Sequence, residues 1–389
     1  MSIADRARQV LPGGTTRTTV FVPPHPPYAA HGEGAIVTDH RGHQVIDCNN
    51  NYTSLIHGHA HPDVLQAATE AARSGTAFGL PTASEVTLAE HLRERTGIEQ
   101  WRFCNSGTEA VLMLLRAARA HTGRDLIVRF EGSYHGTGDA VVSPGAPGVA
   151  RSVSDSVLVL PQNDLEALTA AMRRHGDRIA AVLIDLMPNR AGLNRADYDY
   201  VAKLRALTRQ YGALLAVDEV ITFRLSEGGL HQEYGLQPDL VSVGKVIGGG
   251  FPVGAIGGSA EVLSPFVPQT PGAVSWGGTF SANPVTMAAG ITALRLFDSQ
   301  KIAELNGRGD ELRSRLHDAG VAVHGSGSLL RLIAPDPTEL WWSLYRRGVL
   351  CGTNGLLALS TAMTPTHIER VGQAVIDAID PKDTAQQSQ

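Results

Sequence analysis

Five short apolar runs recur through the middle of this chain: "LIVRF" (126–130), "VLVL" (157–160), "AAVLIDL" (180–186), "ALLAVDEV" (213–220) and "DLVSVG" (239–244). Their apolar residues are consecutive rather than alternate, the pattern of strands covered on both faces of their sheet. Helix-like segments lie between them. "NDLEALTAAMRRHG" opens on Asn163 as a cap with Glu166 three residues on, and "RADYDYVAKLRALTRQYG" stops at Gly212. Buried strands separated by amphipathic helices imply an α/β fold, a mostly parallel sheet layered between helices. In such a sheet, ligand chemistry gathers at the carboxyl ends of the strands.

The two ends read differently. Residues 11–30 are loop-like and rich in proline, and "GAIVTDHRGHQVID" reads as a hairpin about Arg41-Gly42. Later come two long helices, "ANPVTMAAGITALRLFDSQ" and "KIAELNGRGDELRSRLHDAG", then a strand at "LLRLIA" (329–334) and a closing helix near 366–379. There is no internal repeat, and the tail "DTAQQSQ" reads as disordered. The partition expected is a large domain over 51–290 and a small domain built from 1–50 and 291–389.

Composition narrows the function classes. Apolar residues make up 43% and charged residues 18%, with no apolar run of the ~18 residues needed to cross a bilayer and no signal-peptide pattern at "MSIADRARQV". A soluble, cytoplasmic protein is the expectation. The net charge of −5 comes without basic blocks, which gives no electrostatic footprint for nucleic acid and leaves small molecules as the expected partners. Cys48, Cys104 and Cys351 are scattered and lack metal or disulfide spacing, so they read as reduced packing residues.

Three local features carry chemistry. In "RFCNSGTEAVLMLLRAARAHTG" a short strand leads through Ser106-Gly107-Thr108 into a helix, an arrangement whose N–H groups, hydroxyls and dipole suit a phosphate. The plainer alternative is an ordinary helix cap at Ser106 or Thr108. Asp218 ends an apolar strand, where a carboxylate is costly unless a donor meets it. Lys245 follows another apolar strand, between Gly244 and the Gly248-Gly249-Gly250 run, whose small residues leave room for something flat. The "GK" pair is not a P-loop, because Asp239 stands where the first glycine is needed and Val246 replaces the hydroxyl residue.

Together these match the needs of pyridoxal 5′-phosphate: an anion site, an acid that keeps the pyridine nitrogen protonated, and a lysine for the Schiff base. A nearby cation and a dry pocket would lower that lysine's pKa. A rival reading takes His57, His59 and His61 of "HGHAHP" as metal ligands, but no further His and Asp ligands at later strand ends have convincing spacing, so no metal site is expected.

The segments "NSGTEA", "FEGSYHG", "DEVITFRL", "GKVIGGGFPVGAIGG" and "GGTFSANPVTMAAG", in this order, resemble the class III aminotransferases, fold-type I pyridoxal-phosphate enzymes, in their glutamate-1-semialdehyde aminomutase-like branch. The resemblance runs from "PGGTTR" to about residue 300. It implies a large domain with a mostly parallel seven-stranded sheet and a small α+β domain from both termini. By the same resemblance Lys245 is the Schiff-base lysine and proton shuttle, Asp218 partners the pyridine nitrogen, and Ser106, Gly107 and Thr108 hold the phosphate. Tyr134 stacks on one ring face and Val220 packs on the other. Thr279 reaches the phosphate of a neighbouring subunit, which implies a homodimer. His135 is either part of this site or a structural histidine.

Within the branch, "PGGTTR", "NNNYTSLIHGHAHP" and "DEVITFRL" look like the β-amino-acid aminotransferases, where the arginine of the first motif binds the substrate carboxylate; Arg17 is that candidate. The implied reaction moves an amino group from a β-amino acid, another amino acid or an amine to a 2-oxo acid, with an aminomutase, racemase or epimerase as alternatives that would use the same lysine and acid. Two departures stand out. Asp185-Leu186 replaces the usual Glu-Pro, which alters the wall near the ring's hydroxyl side, and Thr353-Asn354 stands where relatives can carry arginines. Either a second carboxylate anchor is missing or Arg190 compensates.

Overall fold

The structure is a computed structural model describing residues 1–379; the tail "DTAQQSQ" lies outside the described residues. Two compact units divide the chain, one of residues 62–302, the other of residues 1–61 with those from 303 onward. These limits lie beyond the domain limits of 50/51 and 290/291 expected from sequence. No described helix is long and apolar enough to cross a membrane.

The larger unit is built on seven strands: β1 (Gln100–Cys104), β2 (Leu126–Phe130), β3 (Val157–Leu160), β4 (Ile179–Ile184), β5 (Leu214–Asp218), β6 (Leu240–Gly244) and β7 (Gly254–Gly258). Their order across the sheet is β1-β7-β6-β5-β4-β2-β3. Only β7 runs antiparallel to its neighbours. Every residue of β2, β4, β5, β6 and β7 is buried, which explains the consecutive apolar runs. Five helices matter below: α1 (Pro62–Ser74), α2 (Gly107–Thr122), α3 (Leu165–His175), α4 (Tyr198–Tyr211) and α5 (Pro284–Leu296).

Two local expectations need correction. The cap of α3 is Asp164, whose carboxylate accepts from the Ala167 N–H at 2.8 Å, and not Asn163. Asn163 has φ +66°, a left-handed conformation that asparagine tolerates, and its Oδ1 accepts from the Asp197 N–H instead. The strand "GAIGG" carries no β-branched run and was not anticipated. Its glycines are there because neighbours close in: a Cβ on Gly254 would lie 2.1 Å from the Ser106 carbonyl oxygen, and one on Gly257 would lie 2.8 Å from the Trp101 ring.

The glycines after Lys245 serve packing. Lys245–Gly248 forms a 3-10 turn, and α5 presses on it. A Cβ on Gly249 would lie 2.6 Å from the Ala289 carbonyl oxygen, and one on Gly290 would lie 2.1 Å from that of Ile247. Gly248 would strike Val253 at 2.5 Å. Room for a flat ligand is therefore not what this run supplies. Ala289 and Ala293 of α5 also meet Val64 and Ala68 of α1, so the turn is clamped beneath a helix pair.

In the smaller unit, Ile36–Asp39 and Gln44–Asp47 form the expected hairpin, with Gly42 at φ +83°. Asp39 Oδ1 accepts from the N–H groups of Arg41 and His43, which closes the turn. The strand Leu329–Leu332 sits between Val323–Ser326 and Leu356–Ala358, and a helix spans Pro365–Ile379. Two of the alternate histidines meet hydrogen-bonding partners: His59 Nε2 lies 2.7 Å from Asp47 Oδ2 and His57 Nδ1 lies 2.9 Å from Thr361 Oγ1. Asn50 to Thr53 all have positive φ, and the Asn49 side chain accepts from the Tyr52 N–H within this left-handed turn.

Gly290→Ala tests the clamp. Alanine gains about 1 kcal/mol of helix propensity over glycine, whereas overpacking against a backbone oxygen costs about 1–3 kcal/mol, and a 2.1 Å approach lies at the severe end. The expected net result is destabilisation by about 1–2 kcal/mol, read as a lower urea midpoint; an unchanged or higher midpoint would contradict the contact.

Candidate active site

The carboxyl ends of β4, β5 and β6 lie side by side. Register pairs Ile184 with Val217 and Asp218 with Ser242, which sets Asp185, Asp218 and Ser242 in a row across three strands. Asp218 is buried, and its carboxylate is met from three segments. The Ser242 hydroxyl donates to Oδ1 at 3.0 Å, the Val220 N–H donates to the same oxygen at 3.0 Å, and His135 Nδ1 lies 2.7 Å from Oδ2. With Nδ1 donating, His135 presents an Nε2 that is buried and has no partner among the described residues. His135 is therefore tied to the site, and Ser242 joins it. The sequence signal for Ser242 was a hydroxyl alone in an apolar strand.

Lys245 lies just past β6, half-buried, with φ +49°. Burial lowers its ammonium pKa from the usual 10.5 to about 8, while the carboxylates of Asp218 and Asp185 oppose the shift. No cation contributes, contrary to the expectation from sequence; loss of hydration alone carries the effect. Asp185 is pushed the other way, up to about 7, by burial first and then by Asp218, although the Met187 N–H donates to its Oδ1 at 2.9 Å. The neighbouring acid Glu219 is structural: its oxygens receive the N–H groups of Leu230 and His231 at 3.1 and 2.7 Å.

Facing these strand ends is the start of α2. Ser106 is the cap, its Oγ accepting from the Glu109 N–H at 3.1 Å, and Glu109 accepts from the Asn105 N–H at 2.6 Å. The cap reading of Ser106 holds, and it leaves the N–H groups of Gly107 and Thr108 without an acceptor among the described residues. The surroundings are tight. A Cβ on Gly107 would lie 2.9 Å from Val220 Cγ1, one on Gly244 would lie 3.7 Å from the Gly107 nitrogen, and one on Gly136, at φ +97°, would lie 2.5 Å from Thr108 Oγ1. Ser106, Gly107, Thr108, Tyr134, His135, Asp218, Val220 and Lys245 thus converge within one unit. Thr279 is exposed, beside the exposed Phe280, on a loop whose Ser281 accepts from the Asn105 side chain at 3.4 Å. Arg17 belongs to the smaller unit, where its Nη1 donates to Asn51 Oδ1 at 2.8 Å.

This set fits pyridoxal phosphate on its own terms. Unused N–H groups at a helix start suit an anion, a buried carboxylate backed by a histidine suits a ring cation, and an amine of lowered basicity suits an aldehyde.

Comparison with known proteins agrees. The family model "Aminotransferase class-III" matches residues 22–369. The glutamate-1-semialdehyde 2,1-aminomutase of Methanothermobacter thermautotrophicus is 41% identical over 324 residues, 80% of this chain and 77% of that protein. The solved ω-transaminase of Sphaerobacter thermophilus is 42% identical with a TM-score of 0.94, covering 97% of this chain and 96% of its own. A β-phenylalanine aminotransferase of Variovorax paradoxus is 36% identical with a TM-score of 0.90, covering 98% and 93% respectively. Family, fold and site chemistry converge: this chain belongs to the class III aminotransferases, fold-type I transaminases whose cofactor is pyridoxal 5′-phosphate.

Proposed function

We propose that this chain works in the cytoplasm as a homodimeric aminotransferase, passing an amino group from an amino acid, with a β-amino acid favoured as donor, to a 2-oxo acid. One observation carries the reading: the lysine after β6 and the buried, hydrogen-bonded acid of β5 meet a helix start with unused N–H groups. Bound pyridoxal phosphate supplies an aldehyde for amine exchange and a cationic ring that accepts negative charge from the substrate carbon. The N–H groups of Gly107 and Thr108, with the hydroxyls of Ser106 and Thr108, hold its phosphate. Asp218 faces the pyridine nitrogen, and His135 and Ser242 keep its carboxylate in place. Tyr134 and Val220 flank the ring. Lys245, as a neutral amine, would hold the cofactor's aldehyde until a donor arrives and would carry the proton taken from the carbon bearing nitrogen.

Exposed apolar side chains support the dimer. Phe78, Leu80, Val86, Leu112, Val267 and Phe280 all lie on the larger unit, with Leu80 77% and Phe280 61% exposed. A partner surface that covers Phe280 brings Thr279 to the neighbouring subunit's phosphate. For the donor, Arg17 stands on the wall of a cavity of about 450 Å³ in its own unit together with Asn51, Tyr52 and Thr353. One hydrogen bond to Asn51 leaves the rest of its guanidinium fork for a carboxylate. The aminomutase reading keeps specific support in the 41% identity to the Methanothermobacter thermautotrophicus protein.

Three outcomes are expected. Capture of the cofactor aldehyde by the apoprotein, followed by absorbance, should accelerate as pH rises through about 8, where the neutral form of Lys245 takes over, and not near 10.5; Lys245→Ala should abolish it. Asp218→Asn should lower the rate of the donor half-reaction by about a hundredfold or more while the sedimentation behaviour stays that of the parent. With β-phenylalanine as donor, Arg17→Ala should raise KM about tenfold and leave kcat within about twofold. Conversion of the bound chromophore by β-phenylalanine without acceptor would establish transfer, and failure with every amino acid tried would favour the aminomutase.

A further inference from the structure

Arg190 lies in the turn Asn189–Ala191 that follows β4, downstream of Asp185. Its guanidinium carbon sits 4.1 Å from the centroid of the Tyr134 ring, a close cation–π stack. The residue is exposed and makes no hydrogen bond or ion pair among the described residues, so all five of its donors are unused. Some other arginines of this unit are engaged: Arg205 grips Asp239 with two bonds, Arg195 meets Glu233, and Arg178 meets Asp125. The nearby acids offer no partner either, since Asp185, Asp218 and Glu219 are buried and bonded to their own donors.

The stack is joined to the site by backbone contacts. A Cβ on Gly132, at φ +69°, would lie 2.6 Å from Ala191 Cβ, so the turn bearing Arg190 rests on the segment bearing Tyr134. That segment continues to Gly136, which abuts Thr108. A face-stacked guanidinium keeps its N–H edge pointing outward, and that edge matches a planar carboxylate. In the smaller unit, Thr353 itself is neutral and spends its hydroxyl on the Thr19 carbonyl.

We propose that Arg190 is the anchor for the carboxylate of the 2-oxo acid acceptor, held in place by its stack on Tyr134, while Arg17 serves the donor's carboxylate. The inference rests on the transaminase reading above. Every 2-oxo acid carries a carboxylate next to its reacting carbonyl, and Arg190 stacks directly on Tyr134, the residue assigned above to flank the cofactor ring.

The test uses enzyme loaded with pyridoxamine phosphate, so no donor has to be known. Recovery of the aldehyde chromophore is followed with pyruvate and with acetaldehyde, which is pyruvate with hydrogen in place of the carboxylate. Arg190→Gln should raise the half-saturating pyruvate concentration about tenfold or more and leave the acetaldehyde rate within about twofold. Binding of oxamate, an unreactive pyruvate isostere, to the pyridoxal-phosphate form should weaken by a similar factor in calorimetry, with cofactor affinity unchanged. Arg190→Lys, which keeps the charge but loses the fork, should fall between. Equal losses with pyruvate and acetaldehyde would overturn the proposal in favour of a role in holding Tyr134, and unchanged pyruvate and oxamate binding would overturn it outright. If the unaltered enzyme recovers no chromophore with any 2-oxo acid, the transaminase reading fails first.

Discussion

A carboxylate kept in a protein interior needs its lone pairs answered by donors, and Asp218 obtains them from three places at once. Ser242 comes from the adjacent strand, Val220 from the turn that follows, and His135 from the segment after β2. Only the Val220 N–H is local to the strand that delivers the acid; the other two donors are remote in sequence. The parallel pairing of β5 with β6 fixes Ser242, and the path from β2 fixes His135, so the carboxylate has all its donors only once the sheet is assembled. The same geometry sets the electrostatics around it. Asp185, one strand over, meets a charge already present and holds its proton to about pH 7, while Lys245 loses hydration faster than the two acids restore its cation.

The lysine itself is positioned by something far from chemistry. Its turn sits under α5, whose Gly290 and Ala289 let two backbones approach to a distance no side chain would allow. The glycines that drew attention in the sequence divide into two jobs. Gly244 faces the Val253 carbonyl oxygen and, further off, Val220 and the Gly107 nitrogen, whereas Gly248 and Gly249 face the Val253 side chain and the helix.

Much of this was legible in the residues. Consecutive apolar runs gave the covered strands, and Asp218 and Lys245 stood out because polar groups at the ends of such runs need a reason. What escaped had weak local signatures. "GAIGG" has no strand propensity, and only the closeness of Trp101 and Ser106 explains it. Asn163 and Asp164 are both good caps, and the choice between them follows from a contact with Asp197, 34 residues away. Ser242 and His135 are ordinary residues until the fold points both at one carboxylate. The expected cation beside Lys245 was a second general route to a low pKa; burial proved sufficient.

The single antiparallel strand has a consequence for how the molecule is made. β1 is an edge strand whose one neighbour is β7, and the pairing joins Cys104 to Gly254. The helix start at Ser106 follows directly from β1 and is braced by Gly254. During synthesis, the half of the site that takes the anion therefore waits for a segment translated after the lysine itself, a non-local closure of the slow kind. A nascent chain that has just emerged as far as Lys245 holds the amine and the acid without the seat for the phosphate, so the cofactor meets its full binding site only when the sheet has closed.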